Sequence, residues 1–130
     1  MSQLNGEFAM KKFDLHVHTV PTISDSQFDF DFGTLKEYVN SLHIDCIAIT
    51  NHNTFDLAQF CYISENLGIL VLPGIEINLE GGHLLLISNN DELIDFNQKC
   101  DKVNALIHTV DDYITVSQLK QIFTKCQTIY

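Results

Sequence analysis

The sequence predicts an α/β fold organised on a parallel sheet or barrel, from three observations. Stretches of strand length recur at residues 13–19, 46–50 and 69–72, and apolar runs like the last two suit parallel strands buried on both faces. Stretches with helical apolar spacing separate them, and repeated βα units imply parallel strands with right-handed crossovers. Side chains of metal-binding type stand at the ends of the runs: His16 and His18, then His52, then Glu76. In such folds the site lies at the strand C-terminal ends.

The totals agree with one domain. The chain has 130 residues, 45% of them hydrophobic, which is enough for a real core. With 17 acids, 7 bases and a formal net charge of -10, a nucleic-acid surface on this segment is disfavoured, because it would need a basic patch. Bound divalent ions would offset part of that charge. No run of 18 apolar residues predicts a membrane span, and no signal peptide is visible. Cys46, Cys61, Cys100 and Cys126 lie far apart without a C-x-x-C. They read as reduced thiols of a cytoplasmic protein and as poor metal ligands. Residues 1–9 lack periodicity, and Met10 reads as the natural start, with a non-native or disordered leader before it.

Taken in order, Phe13 to Thr19 reads as a short buried strand. Residues i and i+2 share a strand face, so His16 and His18 project side by side, about 7 Å apart along the strand. Asp14 shares that face and could orient a ring. Val20 to Gly33 is a loop whose alternating Phe28, Phe30 and Phe32 tuck under it. Thr34 caps a helix through Leu35, Tyr38, Val39 and Leu42. Residues 46–50 form the second strand, ending at Asn51-His52-Asn53. Thr54 caps the next helix, which stops at Gly68. Residues 69–72 form the third strand, closed by Pro73-Gly74. Residues 75–79 and 83–87 make a separate hairpin about Gly81-Gly82. Asn89-Asn90-Asp91 opens a helix running toward Ile107. Thr115 and Gln118 match a capping box for a last helix. Thr128-Ile129-Tyr130 begins another strand.

Two imidazoles on one strand face can share a divalent ion or hold two ions side by side. Glu76 lies between isoleucines, where a lone buried carboxylate is costly without a compensating charge; a ligand role satisfies that. His52 follows a buried strand and is a ligand or an ordinary loop histidine. His83 follows Gly81-Gly82 and is a ligand or a turn histidine. Asp25 is one acid among 17. His43 lies near a helix C-terminus, where the dipole favours histidine, and reads as structural, as does His108.

Residues 14–19 (Asp-Leu-His-Val-His-Thr), 49–53 (Ile-Thr-Asn-His-Asn), 73–77 (Pro-Gly-Ile-Glu-Ile) and 83–86 (His-Leu-Leu-Leu) together resemble the PHP (polymerase and histidinol phosphatase) family, in its motif order. The resemblance covers residues 11–88 and, more loosely, the remainder. It implies a distorted (β/α)7 TIM-like barrel with two or three divalent ions (Zn, Mn or Fe) at the strand C-termini, and phosphoester hydrolysis. It implies metal ligands at His16, His18, His52, Glu76 and His83, with Glu76 bridging, and matches Asp25 to the family's Ser-Asp-Gly aspartate. His16, His18, His52 and Glu76 would act in catalysis through the bound ions. Substrates would be phosphorylated small molecules or nucleotides.

The chain departs from the family pattern in three places. Four residues, Val20 to Ile23, separate His-x-His-Thr from Ser24-Asp25, and Ser26 replaces a glycine. Asn51 replaces the family's aspartate, removing a carboxylate near His52. The family's later His or Cys and its final Asp-x-His are not in these 130 residues. Residues 10–130 therefore read as the N-terminal part of a PHP domain, inactive alone, in a longer protein with room for a fused C-terminal domain; a barrel of this kind takes roughly 200 residues or more. The alternative is a degenerate, non-catalytic module that scaffolds or regulates a larger ATPase or polymerase. A metal-dependent nuclease is a third reading.

Overall fold

The computed structural model describes residues 10–25, 27–124 and 128–129, the last two by backbone alone. The elements are β1 (Phe13–Val17), α1 (Phe32–Ser41), β2 (Cys46–Ile49), α2 (Leu57–Asn66), β3 (Leu70–Leu79), β4 (Gly82–Ser88), a 3-10 turn (Asn90–Glu92), α3 (Leu93–Ala105), α4 (Val116–Ile122) and β5 (Thr128–Ile129). The strands make one mixed sheet in the order β1-β2-β3-β4-β5. β1, β2 and β3 run parallel, whereas β4 is antiparallel to both β3 and β5. The α/β reading holds. The expectations for residues 1–9, Ser26, Cys126 and Tyr130 fall outside the described residues.

β2 is apolar throughout and every residue in it is buried. β1 corrects the expectation of a buried strand: Phe13 is 60% and Leu15 38% exposed. Its sequence alternates apolar with charged or polar residues, and among the described residues only β2 pairs with it. Behind the sheet, Ile47, Ile49, Val71, Ile75, Ile77 and Leu86 share a core with Val39, Phe60, Ile63, Phe96 and Val103 of the helices. Burial of this apolar set is the main stabilising term.

A second correction concerns Pro73-Gly74, which does not close the third strand. β3 runs unbroken for 10 residues. Leu70–Pro73 pairs with β2, and Gly74–Leu79 pairs with β4. Glu76 is therefore in the interior of a strand, not beyond a turn. Glycine is required at 74 by close approach: a Cβ there would stand 2.8 Å from Thr50 Cγ2 and 3.0 Å from the Ile49 carbonyl oxygen. The hairpin turn itself is as expected, with Gly81 at φ +87°.

Two caps also differ from expectation. Asp31, not Thr34, caps α1 and accepts from the Thr34 N–H; Asp56, not Thr54, caps α2 and accepts from the Gln59 N–H. Both aspartates have extended backbone and a carboxylate that reaches the N3 amide. The Thr115–Gln118 capping box forms. Gly68 follows α2 at φ +84°. Cys46 and Cys61 form no disulfide among the described residues. No helix among them is long and apolar enough to cross a membrane.

Candidate metal centre

The site is built from Glu76 outward. Its side chain is 7% exposed and lies mid-strand in β3. Oε1 is 2.7 Å from His16 Nε2, 2.9 Å from His18 Nε2 and 3.7 Å from His52 Nε2. Oε2 is 3.2 Å from Nδ1 of His83, at the start of β4. Imidazoles from three other parts of the chain thus converge on one carboxylate. The His16 and His18 ring centroids are 4.9 Å apart, and those of His18 and His52 are 4.6 Å apart.

Each ring is held by its own backbone. His52 sits where the chain past β2 keeps pairing with β3: the Glu76 N–H donates to the Asn51 carbonyl at 2.8 Å, and the Asn53 N–H donates to the Glu76 carbonyl at 2.7 Å. Asn53 adopts φ +55°, and its Oδ1 accepts from the Asn78 N–H at 2.8 Å. Downstream of His18, Thr19 and Val20 both donate backbone N–H groups to Asn51 Oδ1, at 2.7 and 2.9 Å. Asn51 Nδ2 donates back to Thr19 Oγ1 at 3.1 Å. The amide at 51 is thus a clamp on the turn that carries His18, and an aspartate there would lack the Nδ2 donor.

Asp25 joins the cluster despite the longer loop. Thr22 donates its N–H and its hydroxyl to Asp25 Oδ2, both at 2.9 Å. Oδ1 then faces His18 Nδ1 at 3.3 Å and His52 Nε2 at 3.5 Å. Asp14 does not orient a ring, contrary to expectation. It accepts from the His16 backbone N–H at 3.1 Å and from the Tyr38 hydroxyl at 2.5 Å, so it ties β1 to α1. His43 lies past the end of α1 at φ +55°, and the His108 N–H donates to Asp112 Oδ2 at 2.7 Å. Neither belongs to the cluster. Sequence reading missed Thr22 and the clamp at Asn51; the only signal was their position beside ligand motifs.

The electrostatics favour a cation. Burial works against charge on Glu76, but hydrogen bonds from His16 and His18 together with the pull of His52 and His16 outweigh it and hold the carboxyl below its ordinary value. Asp25 behaves likewise, with burial overcome by the Thr22 bonds and by His52 and His18. Burial pushes His52 below the usual histidine value, against the pull of Glu76 and Asp25. Near neutral pH the two carboxylates are charged and His52 is uncharged with a lone pair to give.

The donors sort into two overlapping groups, His16–His18–Glu76 and His18–Asp25–His52, each with its donor atoms within 4.8 Å of one another. Ligands about 2.1 Å from a tetrahedral ion stand about 3.4 Å apart, close to the Asp25 separations of 3.3 and 3.5 Å. His52 Nδ1 is buried with no hydrogen-bond partner among the described residues. Imidazole with carboxylate suits Zn, Mn and Fe. The residues therefore fit divalent ions.

No family model and no curated protein matches the chain. Among solved structures, it is similar to a proposed metal-dependent phosphoesterase from Bifidobacterium adolescentis, with TM-score 0.51 and 22% identity over 75% of this chain and 35% of that one. It also matches a two-domain Bacteroides vulgatus protein containing a predicted PHP-like metal-dependent phosphoesterase, with TM-score 0.44 and 20% identity over 71% of this chain and 32% of that one. The chain thus spans about a third of the length of either. The first likeness shows the fold: a mixed α/β unit corresponding to part of a larger structure.

Proposed function

We propose that this chain carries part of the site of a divalent-metal-dependent phosphoesterase acting on a phosphorylated small molecule or nucleotide, and part of a (β/α)7-type barrel. The observation that carries the reading is the convergence of His16, His18, His52 and His83 on Glu76, with Asp25 beside them. The fold likeness to a protein described as a metal-dependent phosphoesterase supports it. His16, His18 and Glu76 would hold one ion; His18, Asp25 and His52 would hold a second, with Glu76 between them. When bound, such ions lower the pKa of water and stabilise charge developing on a phosphoryl group. Thr22, Asn51 and Asn53 keep the ligands in register. His83 has the most exposed of the four imidazoles, at 58%, and is the one best placed to meet a substrate.

The test is elemental analysis of the purified full-length protein, followed by manganese- or zinc-stimulated phosphatase assays on wild type and His16→Ala. We expect bound divalent metal in the wild type and loss of stimulated activity in the variant. Absence of metal from the wild type, or unchanged turnover in the variant, would overturn the reading in favour of a non-catalytic module.

A further inference from the structure

A cavity of about 270 Å³ borders the cluster at His18, the one clustered residue among those that line it. Its wall is mainly apolar and includes Val17, Phe28, Phe30, Leu35 and Tyr38. The Tyr38 ring is fixed through its hydroxyl bond to Asp14. Phe28 and Phe30 come from the loop between His18 and α1, between the motifs at residues 14–19 and 49–53. A cavity of about 150 Å³ is enough to take a benzene, so this one has room for a flat ring and its substituents. Asp29 and Asp31 also border it. Two carboxylates disfavour a phosphate inside, so the charged end of a ligand belongs elsewhere.

That leaves the ion cluster itself for the phosphate, and a second cavity, of about 420 Å³, borders the cluster at His52. It is bordered by His52, with Thr22, Thr54, Asn104 and His108, and no carboxylate among the described residues lines it. The two cavities differ in lining: the one at His18 is aromatic and apolar and carries Asp29 and Asp31, and the one at His52 mixes aliphatic and polar side chains without a carboxylate.

We propose that the cavity beside His18 is a subsite for the aromatic group of a phosphate ester, and that Phe28 and Phe30 select substrates carrying one. The proposal rests on the phosphoesterase reading. An aromatic group there meets the edges or faces of phenylalanine and tyrosine, contacts favourable beyond simple area burial. An alkyl phosphate of the same charge would reach the ions without filling the cavity.

The test is calorimetric titration of the manganese-loaded full-length protein with phenylphosphonate and with methylphosphonate. We expect phenylphosphonate to bind about five- to tenfold more tightly, and Phe28→Ala to bring the ratio close to one. Phe28→Leu, which keeps much of the volume, guards against misfolding and should give an intermediate ratio. Equal wild-type affinities would overturn the subsite while leaving the metal centre standing. Binding of neither phosphonate would overturn both the subsite and the phosphoesterase reading on which it rests. A ratio unchanged in correctly folded Phe28→Ala would remove Phe28 from the subsite and with it the proposal.

Discussion

The two ligand groups share His18 but are supported in different ways. The His16–His18–Glu76 group is carried on or beside strands, so its positions follow from parallel pairing of β1 to β2 and β2 to β3. It is also the more open, since the His16 side chain is 49% exposed and sits on an edge strand. The His18–Asp25–His52 group depends on loops, yet its Asp25 and His52 side chains are only 9% and 12% exposed. His52 keeps the backbone pairing to β3 past the end of β2, and side-chain bonds hold the rest: Thr22 grips Asp25, and Asn51 grips the turn after His18. A strand supplies rigidity through its neighbours, whereas Asp25, on a loop, depends on a polar side-chain partner.

Removing the shared residue tests the comparison most severely. His18→Ala leaves each group with two donors, and metal content by elemental analysis should fall to background. Retention of one ion per chain would show that the groups are independent. The next variant separates them. Thr22→Val removes the hydroxyl bond to Asp25 and touches nothing in the strand-borne group. It should weaken one class of metal site by roughly tenfold in a competition titration and leave the other unchanged. Equal weakening of both would mean that the loop supports the whole cluster.

Acid gives the smallest and most graded effect. His52, Asp25 and Glu76 all have folded pKa values below their ordinary values of 6.5, 3.8 and 4.5. Folding therefore favours each deprotonated form. Their contribution to stability is complete above those ordinary values and is lost as pH falls through the lower folded ones. In a melting series on metal-free protein, stability should begin to fall below pH 6.5 as His52 responds, and fall further in the carboxylate range. Two of these three groups belong to the loop-borne set. Greater stability in acid would contradict the sign for all of them.

Much of the site was legible beforehand because its residues are chemically distinctive. His16, His18, His52, Glu76 and His83 stood at or near strand ends in an order that could be read without coordinates, and all meet in the folded chain. The second strand, the hairpin turn and the Thr115 capping box were legible for a similar reason, since each depends on a short local pattern. Pro73-Gly74 misled because its turn propensity is local, while the tight contact with Thr50 and Ile49 that accepts Gly74 is not. Thr34 and Thr54 misled as caps because a nearby aspartate starts each helix instead, Asp31 before Thr34 and Asp56 after Thr54.

The sequence by itself determined the donors: which imidazoles and carboxylates exist, and which apolar runs could become strands. Tertiary structure decided their partners. Glu76 meets His16 across 60 residues, and Asp25 reaches His18 and His52 only after its loop turns back on Thr22. Tertiary structure also made Asn51 a clamp rather than a lost carboxylate. The physical reason is that a side chain's chemistry is fixed by its own atoms, whereas its partner depends on strand register and loop closure set by contacts distant in the chain.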